Sequence, residues 1–254
     1  MRDALIRTTN VSLEFSSGDQ VTTAVKNANI SIPNGVFTII YGASGSGKSS
    51  LLNVISGLQA PSRGQLYFAN QDLYNKSANE LAYFRAEQLG IVYQTNYWVK
   101  SLSVLENVSL PLYFLGYSKS LANELAFKAL NKVNMQSYAK KYPSLLSGGE
   151  QQRVAMARAI VSDPPVIIAD EPTGNLDSKN GDMVMNLLKT LNKEQGKTIV
   201  LVTHNMEYLS IAGHLLEIQD GVVTEIKQDE IASTVKSMLG SMRKRIESLM
   251  ESEK

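Results

Sequence analysis

The sequence predicts an α/β fold in which a mainly parallel core sheet is joined by an antiparallel β subdomain and a helical subdomain. Three observations support this prediction. Short runs rich in valine and isoleucine are typical of strands buried on both faces, and they occur at 36–41, 166–169 and 198–202. The first 35 residues alternate apolar and polar side chains around turn signals, which favours antiparallel strands. Residues 101–141 carry apolar side chains at helical spacing.

The composition of the 254-residue chain restricts the classes of protein to which it can belong. With 43% hydrophobic residues, it can bury the core of one large domain or of two lobes. It has no cysteine and only two histidines, which excludes a disulfide framework and a Cys/His zinc site. A net charge of +1 gives no electrostatic reason to expect nucleic-acid binding.

The sequence also bears on location. Residues 1–7 lack the long apolar region of a signal peptide, and no run of about 18 apolar residues is present to span a bilayer. The absence of cysteine fits the cytoplasm. We therefore expect any work at a membrane to depend on another chain.

The region before the first motif is predicted to form antiparallel strands. Residues 5–15 alternate as a strand, a turn is expected at 16–19, and a pair of strands is expected between Val21 and Ile32. Pro33-Asn34-Gly35 is a strong turn signal that ends this region.

A phosphate-binding P-loop of the pattern G-x-x-x-x-G-K-S is formed by Gly42, Ala43, Ser44, Gly45, Ser46, Gly47, Lys48 and Ser49. It lies between the strand-like run 36–41 and a helical run that begins at Lys48, which is the setting that this motif requires. Backbone N–H groups of such a loop, together with the helix N-terminus, attract phosphate. Lys48 is predicted to reach the β- and γ-phosphates of a nucleotide, and Ser49 to bind Mg²⁺.

A helix and a strand are expected to place Gln94 near this loop. Ser77 and Glu80 have the spacing of a capping box and open a helix that runs through Gln88, after which residues 89–93 form a buried strand. A polar residue at the carboxyl end of a parallel strand points toward the ligand crevice. Gln94 is therefore a candidate site residue, and an ordinary surface glutamine is the alternative.

Aromatic side chains near the P-loop have two interpretations each. Phe15 is equally suited to stack on a nucleotide base or to pack in the core. Tyr97 and Trp98, the only tryptophan, follow Gln94 in a polar loop. Exposed aromatic residues in loops often mark an interface, whereas a buried tryptophan would be structural.

The helical subdomain is predicted to cover about 95–160, with Pro111 and Gly116 dividing its first run into pieces. Ser147, Gly148 and Gly149 follow and precede a helical run at 154–161. A second anion site at a helix N-terminus is one interpretation of these residues, and a simple N-cap turn is the other.

Polar side chains follow the last two valine- and isoleucine-rich runs. Asp170 suits Mg²⁺, directly or through water, and Glu171 would stand beside the γ-phosphate as a water-activating base. A solvated acidic turn is the alternative for this pair. Asp177 can cap a following helix, His204 lies at the end of a buried strand, and His214 is more typical of a structural role.

The end of the chain is predicted to contain a hairpin and a helix. Asp220-Gly221 is a hairpin signal between the apolar stretches 215–219 and 222–226. Asp229 can cap a helical extension at 228–254, whose apolar side could pack on the domain, on a second copy or on a partner.

These motifs, in this order, resemble the nucleotide-binding domain of ABC transporters over residues 3–227. The sequence Leu146-Ser147-Gly148-Gly149 after a P-loop is highly specific for that family. The stretch Asp170-Glu171-Pro172-Thr173-Gly174-Asn175-Leu176-Asp177, together with the residues around the P-loop, resembles the MacB/LolD/FtsE group. Ser50 and Glu150 stand where the family often has threonine and glutamine, and neither change removes a needed group.

The resemblance implies an ABC ATPase domain at 1–227 that binds ATP and Mg²⁺ between two head-to-tail copies. Ser147, Gly148, Gly149 and Glu150 would complete the site of the partner copy. Ser49, Gln94 and Asp170 would hold the metal, Phe15 would stack on adenine, and Asp177 would bridge the copies. Glu171 would be the general base, His204 would orient the γ-phosphate, and Gln94 would contact the attacking water.

The function implied is that of a cytoplasmic ATPase subunit, held at the inner face of the membrane by a separate FtsX- or MacB-type permease. Two alternatives stay open in the sequence. An FtsE-like subunit would signal through its permease without transport. An ABC ATPase acting on nucleic acid is less favoured, because the chain shows one cassette, no long coiled-coil insertion and a nearly neutral charge.

Overall fold

The protein is described by a computed structural model that covers residues 4–18, 20–174 and 176–252, with side chains placed up to residue 241. The predicted contributions of residues 1–3, Asp19, Asn175 and residues 253–254 lie outside the described residues. The strands are β1 (Ala4–Ser17), β2 (Gln20–Ala28), β3 (Ser31–Pro33), β4 (Phe37–Tyr41), β5 (Arg63–Phe68), β6 (Gln71–Asp72), β7 (Leu89–Val92), β8 (Val166–Asp170), β9 (Thr198–Thr203), β10 (His214–Gln219) and β11 (Val222–Ile226). The helices are α1 (Lys48–Ile55), α2 (Ala78–Gln88), α3 (Val104–Phe114), α4 (Lys119–Lys132), α5 (Gly148–Ile160), α6 (Ser178–Lys193) and α7 (Ile231–Ser252).

The core sheet has the strand order β11-β10-β4-β9-β8-β7, and β10 through β7 run parallel. The strands β4 and β9 are buried along their whole length, as strands covered on both faces should be. Tyr41 pairs with Thr203, and Asp170 pairs with Val202. The loops that follow β4, β8 and β9 therefore leave the same edge of the sheet.

A second sheet lies beside this core and is antiparallel. The long strand β1 pairs with β2, β3 and β5, and β6 extends the sheet from β5. Its buried side chains form one hydrophobic cluster with those of α1 and of β9, so the two sheets share a core. Together the sheets confirm the predicted α/β fold with an antiparallel β part.

Between β7 and β8, a loop at 93–103 is followed by a mainly helical stretch. The helices α3, α4 and α5 pack on one another. The prediction that Pro111 divides the first run was wrong, because α3 continues through Pro111 to Phe114. A proline removes one backbone hydrogen bond of a helix. Because α3 ends within one turn after Pro111, the helix loses little by including it. The predicted break at Gly116 is confirmed, because φ is 82° there and α4 begins only at Lys119.

The end of the chain returns to the core. Asp220 and Gly221 both have positive φ and join β10 to β11, as the hairpin signal predicts. The last helix begins at Ile231, two residues beyond the predicted cap Asp229, and buries Ile231 and Val235 against the turn at 206–211. Within the described part of the chain, no helix has the length and apolar character needed to cross a membrane.

Candidate nucleotide site

The P-loop connects β4 to α1, and its lysine is held in place by the loop itself. The Nζ of Lys48 donates to the carbonyl oxygens of Gly42 and Ala43, at 2.9 and 2.8 Å. Lys48 is only 7% exposed. An ammonium has three donors, so two are used for position and the third is left for an anion in the loop.

Close backbone contacts explain two of the P-loop glycines. A Cβ on Gly42 would lie 2.1 Å from the carbonyl oxygen of Ile218, and a Cβ on Gly47 would lie 2.2 Å from that of Ala24. Gly47 also has a φ of 106°, which L side chains rarely adopt. The glycines thus let the loop curl tightly against β2 and β10 at the start of α1.

A cavity of about 550 Å³ opens over this loop and brings most of the predicted site together. Its lining comes from the P-loop and α1 on one side and from the loops after β7, β8 and β9 on the other. The predicted residues that line it are Ser44, Gly45, Gly47, Lys48, Ser49, Ser50, Gln94, Glu171 and His204. Ala24 of β2 lines it too, and sequence reasoning missed this residue because it is placed by the sheet and not by a motif.

Asp170 and Ser49 form the part of the site that fits a metal ion. Ser49 lies close enough to the Asp170 carboxylate to affect its titration, whereas the buried Oδ1 of Asp170 has no hydrogen-bond partner. Burial raises the pKa of Asp170, although the nearby Ser49 hydroxyl opposes this shift. A divalent cation would satisfy the orphaned oxygen and favour the ionised carboxylate, so these residues suit Mg²⁺.

Glu171 and His204 meet at the far wall of the cavity. The Glu171 side chain is 9% exposed and its Oε1 lies 2.8 Å from Nδ1 of His204. The hydroxyl of Thr203 donates more weakly to Oε2, at 3.5 Å. Glu171 has a φ of 46°, and its N–H donates to the carbonyl of Val202. The backbone therefore turns sharply after β8 and directs this carboxylate toward the cavity.

Phe15 is exposed, which removes the core interpretation of this residue. It lies near the end of β1 opposite Thr22 and is 43% exposed. It is not among the residues that line the cavity over the P-loop. An exposed ring on β1, which pairs with the strand β2 that carries Ala24, is compatible with stacking on a base.

The Ser-Gly-Gly segment forms the start of α5, away from the P-loop cavity. Ser147 is the N-cap and shares a capping box with Glu150, whose pKa is lowered by the hydrogen bonds from the backbone of Ser147 and from the Tyr138 side chain. Ser147 and Gly148 are exposed, and neither lines the cavity. Within one chain, these residues and the P-loop are thus not brought together.

Asp177 has the predicted capping role at the start of α6. It accepts a hydrogen bond from the N–H of Asn180 at 2.8 Å, and this bond lowers the pKa of its carboxyl group. The amide of Asn180 also receives a bond from Arg153 of α5. The exposed loop before α6 is in this way connected to the helix that carries the Ser-Gly-Gly segment.

The two aromatic residues after Gln94 differ in their surroundings. Trp98 packs against the core cluster and donates from its indole N–H to Oε1 of Gln151, at 2.8 Å. Arg158 lies over its ring, 4.5 Å from the centroid. Tyr97 is 70% exposed. The hypothesis of an exposed aromatic anchor therefore fits Tyr97 better than Trp98.

His214 is structural, as the sequence indicates. It is buried at the start of β10, and its ring nitrogens contact Thr38 of β4 at 3.2 Å and Glu225 of β11 at 3.0 Å. It lies at the opposite end of the core strands from the P-loop.

Comparison with known proteins assigns this site to a family. The family model described as ABC transporter matches residues 25–174, which include the P-loop, the Ser-Gly-Gly segment and the carboxylates Asp170 and Glu171 at the end of β8. The chain belongs to the ABC transporter family. It is an ABC ATPase domain, and its family binds ATP.

Relatives of this ABC domain lie in the LolD/MacB group, as the sequence predicts. The lipoprotein-releasing system ATP-binding protein LolD of Buchnera aphidicola is 37% identical, over 88% of this chain and 98% of that protein. The macrolide export ATP-binding/permease protein MacB of Bartonella henselae is 36% identical over 91% of this chain, which spans only 35% of the MacB length.

Solved ABC structures show the same fold. The dimeric ATP-binding cassette MJ0796, bound to ADP and Pi in a post-hydrolysis state, has a TM-score of 0.83 and 39% identity. The match covers 88% of this chain and 98% of that one. The cassette cbiO1 from Clostridium perfringens, part of a cbiONQ transporter complex, has a TM-score of 0.79 and 28% identity over 98% of this chain and 100% of that one.

Sequence reasoning missed the residues that hold the loop after Gln94 in this ABC domain. Gln151 and Arg158 belong to α5, more than 50 positions further along the chain, yet they contact Trp98. Their spacing of seven residues, two turns on one helix face, was the only available signal.

Proposed function

We propose that this chain is the ATP-hydrolysing subunit of a LolD/MacB-type transporter and drives separate FtsX- or MacB-type permease chains. The observation that carries the proposal is the cavity over the P-loop, where Lys48, Gln94, Glu171 and His204 face one another. In this proposal the subunit lies on the cytoplasmic face of the membrane, where its permease holds it. Residues 1–227 would be the ATPase domain and 228–254 an extension.

Nucleotide binding depends on charge and backbone donors. Lys48 would donate its remaining N–H to the β- and γ-phosphates while the loop holds its other two. Mg²⁺ would neutralise charge on these phosphates, with Ser49, Asp170 and Gln94 as the protein residues around it. Phe15 would stack on the adenine ring from the exposed end of β1.

Hydrolysis requires that a water molecule lose a proton as it attacks the γ-phosphorus. Glu171 would accept this proton while the bond from phosphorus to the bridging oxygen breaks, giving ADP and phosphate. Since a carboxylate only accepts hydrogen bonds, Nδ1 of His204 donates to Glu171 in the observed contact. That contact would orient the base. The other imidazole nitrogen, Nε2, would donate to the γ-phosphate when the ring carries a proton on both nitrogens. Gln94 would hold the water.

The exposed Ser147 and Gly148, with the half-buried Gly149, support a head-to-tail dimer in which each nucleotide lies between two copies. These residues start α5, whose N-terminus attracts anions, and they do not line the cavity of their own chain. The dimeric state of the MJ0796 cassette is consistent with this arrangement. Glu150 would support Ser147 through the capping box, and Asp177 would bridge the copies.

A groove of about 510 Å³ supports docking of a permease helix beside the loop after Gln94. It lies between α2, β7, α3 and α5, and most of its lining is apolar. Phe114 and Tyr83 are exposed at its edge, and Arg158 forms part of its wall. Aromatic side chains around an apolar groove are typical of sites that receive an amphipathic helix.

The experiment that tests the ATPase proposal is the substitution Glu171→Gln. It keeps the shape of the side chain and removes the base, so turnover should fall by ~10²–10⁴-fold while ATP still binds. ATP and Mg²⁺ should then convert the variant to a long-lived dimer, measured by size-exclusion chromatography. Glu194→Gln, at an exposed position at the end of α6, is the matched control. Wild-type turnover in Glu171→Gln, or absence of the dimer, would contradict the proposal.

A further inference from the structure

The loop that follows Gln94 is attached to α5 by its backbone. Arg158 donates to the carbonyl oxygen of Asn96 at 2.6 Å and to that of Tyr97 at 3.4 Å. The same guanidinium covers the ring of Trp98. One side chain of α5 therefore holds three consecutive residues of the loop.

The end of the loop is attached to α3 in a similar way. The fully buried Asn107 accepts a hydrogen bond from the N–H of Val99 at 3.0 Å and donates to the Val99 carbonyl at 3.1 Å. Its amide also donates to the carbonyls of Leu102 and Ser103. Residues 96–99 are thus fixed to the helical part of the chain, whereas Gln94 lines the P-loop cavity.

A single side chain joins this loop to the Ser-Gly-Gly segment. Gln151 accepts the indole N–H of Trp98 on its Oε1, at 2.8 Å, and donates from its Nε2 to the carbonyl oxygen of Leu146, at 3.1 Å. Leu146 is buried and directly precedes Ser147. The two polar atoms of the Gln151 amide are therefore both bonded. Its oxygen bonds to the loop, and its nitrogen bonds to the residue before the segment that would contact the partner's nucleotide.

We infer that Gln151 is a positioning residue that connects Trp98 to the Ser-Gly-Gly segment, so that the position of the loop determines the position of Ser147. The inference rests on the proposed function, because Ser147 acts only when a second copy presents its ATP. A displacement of residues 96–99 would pass through the two hydrogen bonds of Gln151 to Leu146. Arg158, two turns further along the same face of α5, would keep the loop and the helix together.

The two bonds can be removed separately. Trp98→Phe keeps an aromatic ring under Arg158 and removes the indole donor. Gln151→Glu keeps an acceptor for Trp98 and removes the donor to Leu146, and Gln151→Met removes both bonds at similar size. Gln228→Met makes the same change at an exposed glutamine between β11 and α7 and is the matched control.

The test measures ATP-dependent dimerisation of these variants in the Glu171→Gln parent. Each of the three variants should need about three- to tenfold more protein to dimerise, the range expected for one ordinary hydrogen bond. ATP affinity of the monomer should stay at the parent value, because the P-loop of each chain is untouched. The melting temperature should fall by only a few degrees, about the shift expected for one lost hydrogen bond in a domain of this size. The double variant Trp98→Phe/Gln151→Met should be no weaker than Gln151→Met alone, since the two bonds act in series.

Each other outcome counts against the inference. Variants that dimerise like the parent, or a double variant whose defects add, would overturn the connection while leaving the ATPase proposal intact. A parallel loss of melting temperature and of monomer ATP affinity would show a general packing role instead. A parent that forms no ATP-dependent dimer would overturn the proposed function, and this inference with it.

Discussion

Lys48 shows how a single charged side chain can be prepared for its ligand by the fold. Two carbonyl oxygens of its own loop hold the ammonium, so the lysine does not have to be ordered when phosphate arrives. Ordering a long side chain costs up to about 2 kcal/mol of conformational entropy. In this chain Lys48 is already ordered in the folded protein, so nucleotide binding does not have to order it. The charge is therefore directed at the site before any nucleotide binds.

We expect Lys48→Ala to weaken ATP binding by roughly 10- to 100-fold, since hydrogen bonds to charged groups contribute about 1.5–3 kcal/mol each. Isothermal titration calorimetry with ATP and Mg²⁺ measures the change. Lys128→Ala removes an exposed lysine of α4 that pairs with Glu124 and should leave the affinity unchanged. An unaltered affinity in Lys48→Ala would show that the P-loop lysine does not hold the phosphates.

The residues of the site could be predicted from sequence where a motif ties residue type to position. Lys48, Glu171 and His204 follow buried strands, and parallel strands bring their carboxyl ends to one edge. The environment of Trp98 could not be predicted in this way. Whether a loop tryptophan is exposed depends on Gln151 and Arg158, which only the tertiary fold brings to it.

At the scale of elements, three helices begin with the same device. Capping boxes open α2, α3 and α5 through Ser77 and Glu80, Ser103 and Glu106, and Ser147 and Glu150. The spacing S-x-x-E is a local signal, so the start of α2 could be predicted from sequence. The end of the α3 run at Pro111 was predicted wrongly, because the cost of a proline depends on how many helical bonds follow it.

The capping boxes predict an acid-dependent loss of stability. Hydrogen bonds from Ser77 and from Ser103 lower the pKa values of Glu80 and Glu106 below the usual 4.5. A lowered folded-state pKa stabilises the protein above the unfolded value, and this contribution disappears as the pH falls through the folded pKa. We expect the melting temperature of the wild type to fall below about pH 4.5 more steeply than that of Glu80→Gln/Glu106→Gln.

Thermal melting of the two proteins between pH 7 and pH 3 checks this expectation. The wild type should be the more stable protein at pH 7, and the difference should vanish at the acid end. A difference that is constant over the whole range would show that the caps act without their charge.

The loop after Gln94 yields a prediction that separates its two aromatic residues. Tyr97→Ala removes an exposed ring and should leave the melting temperature and basal ATPase unchanged, while permease binding weakens by about 2 kcal/mol if the ring is an anchor. Trp98→Ala removes a packed ring and its bond to Gln151, so it should lower the melting temperature. Pull-down with the permease chain, together with melting and ATPase assays, distinguishes them. Full permease binding by Tyr97→Ala would reject the anchor.

In the whole molecule, the P-loop cavity and the Ser-Gly-Gly segment, the two proposed halves of the nucleotide site, lie apart. The P-loop cavity is lined by Lys48, Glu171 and His204, while Ser147 lies exposed at the start of α5. A head-to-tail pair with two-fold symmetry would satisfy both surfaces at once, because each copy would supply what the other lacks. That arrangement makes a prediction about mixtures of defective chains.

We expect the variants Lys48→Ala and Ser147→Arg each to be inactive alone. Lys48→Ala disables the P-loop of its own chain, whereas Ser147→Arg blocks the site that its segment would share with the partner's P-loop. In a head-to-tail dimer of one chain of each kind, both defects fall in the same site and the second site is intact. An equal mixture should therefore regain up to roughly a quarter of wild-type ATPase activity, since half of the dimers would be mixed and each mixed dimer has one intact site out of two.

As a control, chains that carry both substitutions, mixed with wild type, should form pairs without any intact site. If each chain used its own Ser147, the mixture of single variants would stay inactive even where light scattering shows mixed dimers, and that result would exclude the head-to-tail site.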